Sequence, residues 1–217
     1  MRLPFTIEQF LDVFRRYNTA VWPMQWILVL LALVAIALAL RDRPRGNRVV
    51  SAILAALWLW MALAYHVTFF ASVNRAAIGF AVVFAAEAAM FAWLALRARP
   101  VSYRPRAKRD AIVGGLVLAY ALVIYPALGL LVGHAYPESP TFGVPCPTTI
   151  FTLGLAVWAP RFPWPVLIIP VAWAVVGTSA AVNLAMAEDF GLLAAAIVSA
   201  AALIGHRRRA TPATLPA

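Results

Sequence analysis

Charge is scarce in this chain of 217 residues: 12% are Asp, Glu, Lys or Arg, about half the share of a soluble domain. Cysteine is nearly absent. Cys146 stands alone, which excludes an intramolecular disulfide and any two-thiol relay within one chain. Lys108 is the one lysine and sits among arginines, so a retinal Schiff base has no candidate. There is no Gly-rich phosphate loop, no H-E-x-x-H, no heptad seam and no polar stretch long enough for a soluble catalytic domain. The sequence carries no haem, retinal or nucleotide signature, and its cofactor stays unknown.

What is present is hydrocarbon. Apolar residues make up 64% of the chain, mean hydropathy is +0.86, and the apolar residues come in blocks. Crossing ~30 Å of hydrocarbon takes about 20 helical residues. On that basis the sequence predicts an all-α integral membrane bundle of about seven transmembrane helices, with spans at 20–40, 49–69, 76–96, 111–132, 147–159, 164–184 and 190–206. Residues 1–206 form one transmembrane domain, and 207–217 a basic, disordered cytoplasmic tail. The fifth span has 13 residues, about 20 Å of helix, too short to cross unaided. Residues 1–18 precede the spans as an amphipathic helix. Ile7, Phe10, Leu11 and Phe14 fall at i, i+3, i+4 and i+7, with Thr6 and Gln9 spaced as a capping box. Such a helix lies in the membrane interface or packs as a lid on the bundle.

The net charge of +10 is a topology signal. With seven spans, fourteen of the eighteen basic residues fall on one side, while the other side has Arg2, Arg15, Arg16, Arg75 and five of the eight acids. The positive-inside rule then puts the C-terminus in the cytoplasm and the N-terminus outside. Nucleic acid drops out as a partner; the lipid bilayer is the expected one. Ala81, Ala85 and Ala89, and Gly191, Ala195 and Ser199, are small residues at four-residue spacing. Such faces suit helix contacts in a bundle, a homo-oligomer or a membrane complex.

Residues 133–152, GHAYPESPTFGVPCPTTIFT, concentrate the unusual chemistry. They hold four of the sixteen prolines, Cys146 and His134. Pro137, Pro140, Pro145 and Pro147 break the helix, and the next helix starts at Pro147. Cys146 then sits at its mouth, beside unpaired N–H groups that favour an anion or a thiolate. Cys146, His66 and His134 are the candidate metal ligands, a soft-metal set scattered without ligand spacing. As a nucleophile, Cys146 would use a histidine base and an oxyanion site at Thr148 and Thr149; those threonines equally suit back-bonding to the previous turn. His66, Tyr125 and Asn183 are expected to shield the broken segment. Glu87, at mid-depth, requires a partner or a cavity, and Tyr120 lies at matching depth to supply one.

Two blocks, LPFT-IEQF-LDVFRRYN-TAVWP and GHAYP-ESPTFGVPCPTTIFTLGL, resemble a bacterial multi-pass membrane family classed as a domain of unknown function. The resemblance covers most of the chain, implies a small inner-membrane protein and brings no activity with it. The leading expectation is a small-solute or ion transporter or channel, soft metals included, with its site around Cys146. The alternatives are a membrane enzyme with Cys146 as nucleophile and a non-catalytic subunit of a membrane complex.

Overall fold

A computed structural model describes residues 4–184 and 186–210. Among these residues there are eight helices and no sheet; Phe142 and Val144 form an isolated bridge. Ala185, between the predicted spans at 164–184 and 190–206, and residues 211–217 of the predicted tail lie outside the described residues.

Helix α1, Ile7–Ala20, opens with a reciprocal cap: the Gln9 N–H donates to Thr6 Oγ1 at 3.3 Å and the Thr6 N–H to Gln9 Oε1 at 2.9 Å. Phe10, Val13, Phe14 and Tyr17 are buried, and their rings meet Tyr65, Phe69 and Phe70. Protein contacts cover Phe10 and Phe14 of the predicted stripe while Ile7 stays exposed and Leu11 half-buried, so α1 packs on the bundle with part of its apolar face open. Burial pushes the Tyr17 phenol above its ordinary range, opposed by the bond it accepts from the Trp60 indole at 2.7 Å.

Six helices are long and apolar enough to cross a membrane: α2 Met24–Arg41, α3 Pro44–Ser72, α4 Ala76–Leu96, α5 Lys108–Leu131, α7 Trp164–Leu184 and α8 Ala187–His206. Aliphatic side chains such as Leu30 and Leu33 of α2 and Leu116 and Val123 of α5 stay exposed, which suits lipid and not water. This is a multi-pass integral membrane protein. The last helix continues to Ala210, into the stretch expected as a tail.

The remaining helix, α6 Pro145–Trp158, has 14 residues and is buried everywhere except at Cys146. A helix apolar all round belongs inside a bundle, and α5, α7 and α8 pack around it. At about 21 Å it is shorter than the hydrocarbon core, so six long apolar helices stand where seven spans were expected, and the ends of α6 are covered by protein. It begins at Pro145, two residues earlier than expected. Both Pro145 and Pro147 fall in the first turn, where backbone N–H groups have no intrahelical partner to lose.

Close approach around α6 depends on glycine. A Cβ on Gly114 of α5 would lie 2.3 Å from Trp158, and one on Gly154 of α6 2.9 Å from Leu118. On α8, Gly191 lies under the Tyr120 ring and Ser199 Oγ donates to the Leu153 carbonyl at 3.2 Å. That small-residue line therefore serves the chain's own packing. On α4 the buried line is Ala77, Ala81, Phe84, Ala88 and Phe91, with Ala89 exposed, because the contact face drifts between three- and four-residue steps. Trp22 and Trp26 are exposed at one end of the bundle, Trp93 and Trp164 at the other. Trp158 packs inside and donates to the Ala111 carbonyl at 3.2 Å.

Candidate functional site

The polar groups of the bundle converge where α6 begins. Gly133, at φ +95°, turns the chain after α5, and the His134 N–H donates back to the Gly129 carbonyl at 2.8 Å. This aims the His134 ring at the connection between α7 and α8, where Nδ1 pairs with Glu188 Oε1 at 2.9 Å. The Ala187–Asp189 turn folds inward: Glu188 is fully buried and Asp189 is 4% exposed. The Tyr120 hydroxyl donates to the Glu188 carbonyl at 2.7 Å, and the Tyr125 hydroxyl to Asp189 Oδ1 at 2.5 Å.

Helix α5 presents both tyrosines through a widened π turn at Tyr120–Ile124. Pro126 accounts for it: lacking an N–H and crowding the carbonyl four residues back, it disfavours regular α geometry there. Cys146 lies against Asp189. Gly177 packs beside it: a Cβ there would make an ordinary contact with the Cys146 sulfur at 3.5 Å, whereas Leu192 at 2.7 Å would have to shift. A cavity of about 140 Å³ adjoins these groups, lined by Cys146, Asp189, Tyr125 and Trp173 together with Phe10 and Phe14 of α1.

The other predicted residues are dispersed. His66 lies in a second π turn, Met61–Val67, enclosed by Phe70, Phe80, Phe84 and Trp173; neither ring nitrogen has a hydrogen-bond partner among the described residues. Glu87 is fully buried and both its oxygens are likewise unpartnered. The expected Glu87–Tyr120 bond is absent, because Tyr120 is engaged by Glu188. Thr148 Oγ1 accepts from the Gly143 N–H at 3.1 Å, which ties the broken segment to α6. Thr152 bonds back to the Thr148 carbonyl at 2.9 Å and accepts from the Trp58 indole at 3.1 Å. Thr149 is buried with a free hydroxyl. Asn183, expected as a shield, is exposed and bonds to Ser179 on its own helix at 2.6 Å. Among the described residues, no three His, Cys, Asp or Glu side chains are grouped to hold a metal ion; Cys146, His66 and His134 are not gathered.

The carboxyls are what the sequence reading leaves out: Glu188 and Asp189 fall in the short connection between the spans at 164–184 and 190–206 and are not among its candidate residues. A signal was available: two adjacent acids between two apolar helices, on a connection too short to carry both away from the bundle.

A family model, described as a family of unknown function (DUF6064), matches residues 7–213. No curated protein and no solved structure matches the chain.

Proposed function

We propose, for a chain that belongs to the DUF6064 family, that it carries a small ion or solute across a bacterial inner membrane, as a transporter or channel with its site at the entrance to α6. The observation behind this is the pair of buried carboxyls, Glu188 and Asp189, the second of which lines the Cys146 cavity. Ionisable groups inside a membrane bundle are costly and mark ion and proton pathways. A helix N-terminus alone favours an anion; with two carboxyls next to it, the balance turns to a cation or a proton.

The thiol-enzyme alternative finds less support, since His134 is engaged by Glu188 and His66 by aromatic rings, and neither hydrogen-bonds Cys146. A soft metal would need a third ligand beside Cys146 and Asp189. The basic loops and C-terminus are cytoplasmic, the N-terminus and the 134–145 loop external. Impermeant labelling at positions 104 and 138 tests this, and labelling of both from one side would refute it.

The experiment for the function uses proteoliposomes with a trapped pH dye and a potassium diffusion potential. The wild type is expected to pass protons or to couple them to a small cation, and Asp189→Asn to abolish the flux while the protein stays folded. Wild-type fluxes of H⁺, Na⁺ and K⁺ equal to those of empty vesicles would overturn the proposal.

A further inference from the structure

The end of the bundle opposite Cys146 holds a pocket of about 580 Å³ lined by Arg97, Arg99, Arg106, Arg161, Asp110 and His206. Asp110 is the one carboxylate in the lining, and it is already engaged: its Oδ2 lies 2.8 Å from His206 Nε2, with both side chains more than nine-tenths buried. None of the four arginines has an ion pair among the described residues. Four guanidinium groups share this concavity with Asp110, and Asp42 acts on Arg106 from nearby, so positive charge stays in excess and an anion that enters relieves it.

The walls are fixed independently of any ligand. Arg97 stacks on the Trp93 ring at 4.7 Å, and the Arg97 and Ala98 carbonyls accept from Arg48 at 3.3 Å each. The segment carrying Arg99 and Arg106 is pinned by the bond of Tyr103 to Ser51 at 2.8 Å and by that of Ser102 to Asp42 at 2.7 Å. Arginines carried on a backbone held in place this way suit the oxygens of a phosphate, which guanidinium groups bind in bidentate fashion.

We propose that this pocket binds a phosphate group, carried by an anionic phospholipid headgroup or by a soluble phosphate. The lining residues lie at the ends of α4, α5 and α8, beside the exposed Trp93. That is the level of lipid headgroups, where basic pockets between membrane helices take anionic lipid.

The test titrates the full-length protein in uncharged detergent with phosphatidylglycerol, phosphatidylcholine or inorganic phosphate, reading bound adducts by native mass spectrometry and unfolding temperature in parallel. Phosphatidylglycerol is expected to bind in preference to phosphatidylcholine. Arg99→Gln and Arg161→Gln should each weaken it about fivefold. Arg45→Gln, at the same end but outside the lining, should leave it unchanged. Arg99 and Arg161 are exposed, so ligand-free unfolding temperatures should match the wild type and separate binding from folding. Binding of inorganic phosphate but not lipid, lost in the same two variants, would support the site and assign it a soluble ligand. Equal binding of both lipids with no phosphate effect, or equal losses in all three variants, would overturn the proposal.

Discussion

The Tyr125 hydroxyl donates to the Asp189 carboxyl across 2.5 Å, joining two helices at residues 64 positions apart in sequence. With Tyr120 on the Glu188 carbonyl and His134 on its side chain, α5 and the loop after it supply the donors to a turn that contributes two buried acids. Removing one partner from such a pair leaves the other buried and unpaired. Tyr125→Phe should therefore lower stability by roughly 1–3 kcal/mol. Combined with Asp189→Asn, the loss should fall short of the sum, because contacting residues couple. Unfolding in detergent of both single variants and the double variant measures this; strict additivity would mean that the two groups act independently.

Helix α1 is expected to govern access to Cys146. Phe10 and Phe14 line the cavity beside the thiol, so a small neutral maleimide should label the wild-type protein slowly. Phe10→Ala with Phe14→Ala should raise the labelling rate at least about tenfold, the effect of a local opening cheaper by about 1.4 kcal/mol. Cys146→Ser should stay folded and unlabelled. Equal rates in wild type and double variant would show that α1 is not the lid.

Much of this fold was legible because lipid makes strong demands on sequence. Six apolar runs long enough to cross became six long helices, and the Thr6–Gln9 spacing became a real cap. The prolines around Cys146 marked a helix start to within two residues. What stayed hidden depends on which face of a helix meets which neighbour. Nothing in the 1–18 stretch states that Asn18 clasps the 134–141 loop, although these are the two blocks that carry the family resemblance. Glu188 and Asp189 pass in the sequence as two acids of a short connection, and Tyr120 is matched to Glu87 by depth, a one-dimensional quantity blind to rotation about the helix axis.

Asp42 ties the two arginine-rich connections together. It adopts φ +48°, a conformation Asp tolerates, and accepts from Asn47 at 2.9 Å and Ser102 at 2.7 Å. Burial pushes its carboxyl up, but those two bonds and the nearby Arg106 and Arg104 together hold it below the ordinary carboxylate range. A lowered folded-state pKa stabilises above the unfolded value and is lost as pH falls through the folded one. Wild-type stability should therefore drop below about pH 4. Asp42→Ala should cost roughly 1–3 kcal/mol at pH 7 and show a shallower acid loss. Parallel acid profiles would exclude Asp42 as a contributor.

Glu87 is fully buried on α4 with neither oxygen partnered among the described residues. An ionised carboxyl in that setting is far costlier than a neutral group of the same shape. Glu87→Gln should keep the unfolding temperature of the wild type, whereas Glu87→Ala opens a void and should cost roughly 1–3 kcal/mol. Proton flux lost in a stable Glu87→Gln would place Glu87 on the conducting route; flux retained would confine it to packing.

Asn18 is the clasp on which the site's loop depends. Its fully buried side chain donates to the Pro137 carbonyl at 2.7 Å and the Ser139 carbonyl at 2.8 Å, and accepts from Thr141 Oγ1 at 2.7 Å. Its own carbonyl accepts from Gln25 at 2.8 Å. Three side-chain bonds lost at once, with their partners left under cover, should cost Asn18→Ala roughly 2–4 kcal/mol. Asn18→Asp should do no better at neutral pH, since it removes both donors and sets a carboxylate against two carbonyls. The same loop delivers His134 to Glu188, so either variant should expose residues 134–141 to protease and diminish proton flux together. Protease resistance and flux both at wild-type level in Asn18→Ala would show that the loop is held by something other than this side chain.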